Sequence, residues 1–570
     1  MLTRSSPPLF AGMSFVAAFL AAGVAHAADY YVAPTGSDSN AGTMAAPFAS
    51  LQKGHDAASA GDTVWLRAGT YKSTKQIKLS KSGTSDTQRI KFFAYTGEKV
   101  TIDFSGYVST NKAADTPALL VTGNWLHLKG FEIVGAPVGA SGDHSISALR
   151  SEGASNNTFE LLNIHHNFGP GLFISKGTGG NLILNVDSHD NYDKDGSQGD
   201  GQNGDGFGVH YQETGPSTII RGCRAWLDSD DGYDLISQEV PVIVENSWAI
   251  QNGYANGGST SPSSGNGNGF KMGSSQTGIR HIVRFNVAWK NKAAGFYANH
   301  SSGGNTWLNN TSYMNGTQYN MLASPAGDSA STITLSGALA HKMRNNVGFP
   351  NKNTNMGGVD TMFNTWDLNI AEAASDFVST SDTGTLGARQ ADGSLPAVDF
   401  LKLKAGSPLI DKGTDVMLPF VGTAPDLGAD EFGAVKPPSG GSGGSGGGPS
   451  AGGSATTGGV SNGGMGTTTA GAAGMTTAPG GGSAGNGNGG SGPVTTGGAV
   501  TGTPGGNMPY VSDGAANNPV DPSGGSAGGG GSDDGSGCSC SWKNRRGTGG
   551  TVTALLLLGA VLRRRRARRL

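Results

Sequence analysis

Between residues 90 and 345, short runs with alternate apolar positions recur, each opened or closed by Gly or Asn. Alternation of that kind is the period of a strand, and no stretch of comparable length shows helical periodicity. Five runs superimpose: Gly171-Leu172-Phe173-Ile174, Gly206-Phe207-Gly208-Val209, Gly232-Tyr233-Asp234-Leu235, Gly269-Phe270-Lys271-Met272 and Gly295-Phe296-Tyr297-Ala298. Their glycines are 35, 26, 37 and 26 residues apart. Two spacings are single coils of roughly 25 residues, and the longer two are a coil plus a polar insertion, at residues 193–204 and 252–268. A second strand recurs at residues 159–164, 181–186, 217–223, 241–248, 281–287 and 305–310, punctuated by Asn163, Asn185, Asn246, Asn286 and Asn309. Asparagines stacked at successive turns can hydrogen-bond one another and the backbone as a ladder. The pattern predicts an all-β chain, a parallel β-helix solenoid. A propeller would need a longer period, about 40 residues or more.

Stacking turns this alignment into geometry, because equivalent residues of neighbouring coils lie about 4.8 Å apart and alternate residues face in and out. Phe207, Tyr233, Phe270 and Phe296 form one inward column, and Val209, Leu235, Met272 and Ala298 a second. Gly208, Asp234, Lys271 and Tyr297 stand between them and face out. Asp205, Asp231 and Asn268 stack at the turn before each strand, with Asp230 beside Asp231.

The ends differ from this middle. Residues 1–27 hold Arg4, an apolar stretch over residues 10–24 and Ala25-His26-Ala27, the pattern of a cleaved secretory leader. Residues 437–537 contain no Lys or Arg, four Asp and roughly two-fifths Gly, too little apolar surface to offset chain entropy, so a disordered linker is expected there. The tail, residues 538–570, runs from Cys538 and Cys540 through an apolar stretch at residues 551–562 to an arginine cluster, with the apolar stretch predicting a short helix. Residues 28–436 remain as the folded domain. Its one cysteine, Cys223, excludes a disulfide-stapled fold and reads as a buried thiol in a core strand.

Charge narrows the partners. Residues 28–537 carry 42 acidic against 29 basic residues, which argues against nucleic acid. Asp205, Asp230, Asp231 and Asp234 fall within two coils, where repulsion is costly unless a cation sits among them. Oxygen donors without His or Cys select a hard ion, and calcium is the extracellular choice; a solvated acidic edge is the plainer alternative. Asp193, Asp195 and Asp200 resemble a calcium loop only loosely. Lys271 adjoins the cluster, either as an ordinary solvated lysine or as a base. A cation gripping a uronate carboxylate would acidify the ring C5 proton, and a neutral amine one coil away could remove it. Such a lysine needs a depressed pKa or an alkaline medium. Lys290, Lys292, Arg280 and Arg284 follow by about one coil and are candidates to meet substrate carboxylates. His165, His166, His189 and His210 read as turn residues rather than metal ligands.

The stretches Gly204-Asp205-Gly206-Phe207, Asp228-Ser229-Asp230-Asp231-Gly232-Tyr233-Asp234-Leu235 and Gly267-Asn268-Gly269-Phe270-Lys271-Met272-Gly273 resemble polysaccharide lyase family nine, the pectate lyases. Asp29-Tyr30-Tyr31-Val32-Ala33-Pro34 and Gly61-Asp62-Thr63-Val64 resemble the N-terminal cap of secreted right-handed β-helix proteins. The resemblance covers roughly residues 29–433. It implies a right-handed helix that cleaves pectate-type uronans by β-elimination, with calcium on Asp205, Asp230, Asp231 and Asp234 and Lys271 as Brønsted base. The tail resembles the myxobacterial C-terminal sorting tail, which implies a secreted protein held at, or released from, the cell surface; a plain membrane anchor is the alternative. A monomer acting on an acidic polysaccharide is expected. The alternatives are a β-helix hydrolase, which would need a Gly-His-Gly element that is missing from the sequence, and a non-catalytic surface adhesin or glycan-binding protein, which a lysine beside four aspartates disfavours.

Overall fold

The computed structural model describes residues 27–434, apart from residues 110–115, 138–145, 195–199, 256–259, 275–276, 327 and 329. The expected leader, linker and tail fall outside the described residues, save Ala27. Each coil lays down three strands. In one central coil Thr218–Arg221 joins sheet one, Arg224–Trp226 sheet two and Tyr233–Ile236 sheet three, before Val242–Glu245 returns to sheet one. The sheets contain 12, 10 and 10 strands, and their named strand pairs are parallel. Sheet one runs from Asp29–Val32 to Asp360–Met362, so the solenoid extends beyond the repeats visible in the sequence at both ends, and the expected cap supplies its first strands. Helix α1, Leu51–Ala57, lies against that end, where a Cβ on Gly54 would come within 2.6 Å of Val64 and 2.9 Å of Val32. Among the described residues no helix is long and apolar enough to cross a membrane.

The recurring second strand is in fact two strands joined at a corner. Thr158–Glu160 and Asn163–His165, for example, belong to different sheets. The backbone turns between them through a left-handed residue: Leu161, Asn185, Asn246, Phe285 and Asn309 all have φ between 51° and 55°. That conformation costs most residues about 1–2 kcal/mol and Asn less, which explains three of the asparagines. Of the five asparagines, Asn309 bonds its counterpart one coil on, its Oδ1 accepting from Asn345 Nδ2 at 3.3 Å, and Asn286 belongs to a longer ladder. Its N–H donates to Asn310 Oδ1 at 3.1 Å, Asn310 to Asn346 at 3.0 Å and Asn346 to Asn364 at 2.8 Å. A second ladder, at the turn from sheet two to sheet three, passes through Asn191, Asp228, Asn252, Asn291 and Asn315.

The predicted inward columns are correct. Phe207, Tyr233, Phe270, Phe296 and Tyr319 are buried and stack ring on ring, with centroids 4.9, 4.5, 5.0 and 5.1 Å apart. Each such side chain contributes about 1.5–3 kcal/mol by leaving water. Cys223 is buried as expected but occupies the corner between strands, its thiol pushed up to about 12 chiefly by burial.

Beyond the last coil the chain doubles back over the outer face of sheet two. Phe377, Phe400, Leu403, Leu409 and Leu427 pack there on Trp226, Ile250, Trp289 and Tyr313. Asp187 pins this covering segment, accepting from Arg224 Nη2 at 2.6 Å and from Arg389 Nη2 at 2.6 Å. Burial opposes the carboxylate charge, but the two guanidiniums outweigh it and hold Asp187 below the ordinary carboxylate range. A depressed carboxylate contributes stability above its unfolded pKa and loses it as pH falls through the folded value. Asp187→Asn should therefore cost about 3–5 kcal/mol at neutral pH, the gap to the parent closing in acid. Urea unfolding at several pH values measures this, and an unchanged midpoint at pH 7 would mean the segment is not pinned here.

Candidate active site

Three strands of sheet three, Phe207–His210, Tyr233–Ile236 and Phe270–Met272, carry the site on their outer face. Register pairs Gly208 with Asp234, Asp234 with Lys271 and Lys271 with Tyr297, the outward column expected from the alignment. The turn before these strands is itself a ladder. Asp205 Oδ1 accepts from Asp231 N at 3.1 Å, Asp231 Oδ1 from Asn268 N at 2.6 Å, and Asn268 Oδ1 from Ala294 N at 3.1 Å. Where Asn stands in a ladder the second side-chain atom is a donor; where Asp stands it is a second acceptor. The ladder thus takes one oxygen from each of Asp205 and Asp231 and aims acidic oxygens at the column beside it.

Asp205, Asp231 and Asp234 bring carboxylate oxygens within 4.8 Å of one another, a group able to hold a metal ion. Asp230 lies outside that trio, its Oδ1 accepting from Asn266 N at 2.5 Å. Lys271 Nζ stands 2.9 Å from Asp231 Oδ2 and 3.4 Å from Asp234 Oδ1, and donates to Asn266 Oδ1 at 3.2 Å. Although it faces outward, Lys271 is only 4 % exposed and Asp231 is fully buried, which rules out the solvated acidic edge.

Burial dominates the electrostatics. It raises Asp205, Asp230 and Asp231 above the ordinary carboxylate range, and neighbouring carboxylates add to it. Asp234 is the exception: burial opposes its charge, but Lys271 and His210 outweigh burial and hold it low. Burial also disfavours the Lys271 ammonium, yet Asp231, Asp234, Asp230 and Asp205 together hold its pKa well above the ordinary value. Without a cation, therefore, the carboxylates keep Lys271 protonated. Buried Asp231 Oδ2 and Asp234 Oδ1 make no well-aligned hydrogen bond, so oxygens suited to a hard cation are present and under-used.

The basic residues expected to meet substrate are engaged elsewhere. Lys290 pairs with Asp382 at 2.7 Å, Arg284 with Glu245 at 2.6 Å, Arg280 donates to the carbonyls of Ala338 and Ala340, and Lys292 donates to those of Ser263 and Gly265. Asp193 is buried within its loop and accepts from Asn203, Asp195 lies outside the described residues, and the one candidate metal group among the described residues includes neither Asp193 nor Asp200. The histidines are not scattered over turns. His165, His189 and His210 sit in strands, and only His166 occupies a left-handed turn. His165 and His189 stack at 4.7 Å on sheet two. His210 borders the site, with Nε2 3.3 Å from Asp234 Oδ2 and its ring against Phe173. Its outward parity, two residues after Gly208, is the signal that could have found it.

A family model described as Pel9A-like, right handed beta helix region, matches residues 30–355. Pectate lyase L of Dickeya dadantii (strain 3937) is 35% identical over 419 residues, which is 72% of this chain and 92% of that protein. Pectate lyase PEL9 of Emericella nidulans is 30% identical over 420 residues, 68% of this chain and 95% of that protein. Among solved structures, pectate lyase Pel9A is 34% identical with a TM-score of 0.59, covering 72% of this chain and 97% of that one. A structure described as rhamnogalacturonan lyase is 30% identical with a TM-score of 0.57, covering 66% and 96%. The chain is a polysaccharide lyase built on a right-handed parallel β-helix. It belongs to the Pel9A-like right-handed β-helix family.

Proposed function

We propose that the chain is a secreted, calcium-dependent lyase that cleaves a pectate-type polyuronan by β-elimination, with Lys271 as the base and Asp205, Asp230, Asp231 and Asp234 as the calcium-holding set. The observation that carries this reading is the ammonium of Lys271 buried 2.9 Å from Asp231 Oδ2, beside the carboxylate trio. Calcium, when bound, supplies a divalent charge that grips the substrate carboxylate, acidifies the neighbouring C–H bond and offsets the carboxylates' hold on the lysine proton. Asp205 and Asp231, fixed by their ladder bonds, hold their remaining oxygens in place without reorganisation. The neutral amine of Lys271 takes the C5 proton, the C4–C5 double bond forms, and the C4–O bond breaks. The departing oxygen then takes up a proton. Ultraviolet absorbance of the unsaturated uronide, followed on polygalacturonate and on rhamnogalacturonan with and without chelator, tests the reading. No absorbing product on either polymer in calcium would sink it.

The leader reading of residues 1–27 supports secretion, and the tail resemblance supports a surface role for residues 538–570. Because residues 437–537 lack core-forming side chains, a chain ending at Lys436 should keep its specific activity. Loss of activity on that truncation would move the domain boundary. Changing Cys538 and Cys540 to Ala in the native host should alter surface retention, and unchanged fractionation would reject the sorting-tail reading.

A further inference from the structure

Residues 263–268, the closing part of the second insertion, fold back onto the acidic turn. Gly265 comes so close that a Cβ there would sit 2.3 Å from Ser229 O and 2.5 Å from Gly201 O, so a larger residue would lift the loop. Ser263 Oγ donates to Ser229 O, and the first insertion ties in through Gln202 Nε2 to Ser264 O at 2.8 Å and Ser264 N to Asp200 O at 2.9 Å. From the next coil, Lys292 sends its half-buried ammonium to Ser263 O at 2.9 Å and to Gly265 O. The residue these contacts fix is Asn266. Its N–H donates to Asp230 Oδ1, and its Oδ1 accepts from Lys271 Nζ at 3.2 Å.

Lys271 therefore faces two carboxylate oxygens and one amide oxygen. Asp231 and Asp234 belong to the carboxylate trio, and oxygens turned toward a cation are lost to the ammonium. The amide oxygen carries no net charge and stays with the lysine. A base works only when its lone pair is aimed, and a misplacement of about 1 Å can cost a hundredfold in rate. We propose that Asn266 is the positioning residue that aims Lys271 at the C5 proton, with Lys292 clamping the loop that carries it. This rests on the reading of Lys271 as the base.

The test uses the full chain in saturating calcium, with Asn266→Ala, Lys292→Met, Lys292→Arg, the Asn266→Ala/Lys292→Met double variant and Lys271→Ala. Asn266→Ala should lower kcat on oligogalacturonate about tenfold to a hundredfold, with KM, calcium half-saturation and the thermal midpoint nearly unchanged. Lys292→Met should lower kcat by less, Lys292→Arg should restore it, and the double variant should be no worse than Asn266→Ala, since both changes act through one contact. Three results would overturn the proposal. Parent-like kcat for Asn266→Ala beside an inactive Lys271→Ala removes the positioning role and leaves the base reading intact. A raised calcium requirement at unchanged kcat means the Asn266 side chain serves the cation site instead of the lysine. Additive losses in the double variant mean Lys292 acts elsewhere. An active Lys271→Ala would remove the base reading itself.

Discussion

Lys271→Ala is expected to cut turnover by about 100-fold to 10,000-fold, the usual cost of losing a general base, while substrate still binds. The side chain leaves a pocket lined by Asp231, Asp234 and Asn266, and losing its charge should not release the carboxylates that face a cation. Lys271→Arg should be almost as damaging, because a guanidinium keeps its proton at any working pH. Since only the neutral amine can take a proton, the parent's rate in calcium should climb with pH as the ammonium gives up its proton. Steady-state kinetics with oligogalacturonate, paired with calorimetric binding, separates the two roles. An Arg variant that kept most of its activity would make the residue a clamp for the substrate carboxylate and send the search for the base elsewhere.

Chelation should cut the rate about 1,000-fold, a barrier raised by about 4 kcal/mol, and calcium should restore it. The same site makes a less intuitive prediction about stability. Asp205 is raised well above the ordinary carboxylate value by burial and by Asp230, Asp234 and Asp231. A carboxylate whose folded pKa is raised destabilises the fold once pH exceeds its unfolded value, and the cost vanishes in acid. In chelator at neutral pH, Asp205→Asn should therefore raise the unfolding midpoint, since the amide Oδ1 can still accept from Asp231 N, while activity in calcium falls to background. This is opposite in sign to Asp187→Asn, where the lost charge is one that arginines were holding. Differential scanning calorimetry with chelator decides it: a lower midpoint for Asp205→Asn would show that the cluster is already relaxed without a cation. Full activity in excess chelator would refute the metal assignment directly.

The columns were legible because a solenoid writes its geometry as spacing. Phe207, Tyr233, Phe270 and Phe296 face in and Asp234 and Lys271 face out for the same reason, a strand that repeats at a fixed offset. The corner between sheets one and two was missed, although buried residues three apart mark it: Phe159 and Leu162, Ile183 and Val186, Ile220 and Cys223. A period-two reading runs straight through such pairs. Asn266 closes its insertion as Asn203 closes the other, in Asn266-Gly267-Asn268-Gly269-Phe270 and Asn203-Gly204-Asp205-Gly206-Phe207, but nothing in that repeat shows which side chain an asparagine there will meet. Lys292 pointed toward substrate in sequence only because nothing there shows which carbonyls will fold over it. The covering role of Phe377, Phe400 and Leu427 was equally silent, since their partners lie far away along the chain.

That covering segment changes how the molecule can come apart. A bare solenoid behaves as a row of near-independent units, fraying inward from whichever end is looser. Here Arg389 reaches back about 200 positions to Asp187, and Phe400 to Trp289 and Tyr313. The final stretch thus laces together coils that do not otherwise touch. The last coils cannot peel away until the lace is undone, and undoing it exposes several coils at once. Amide exchange should accordingly show one cooperative block across sheet two, from residue 187 to residue 349, instead of a gradient that rises from the C-terminal end.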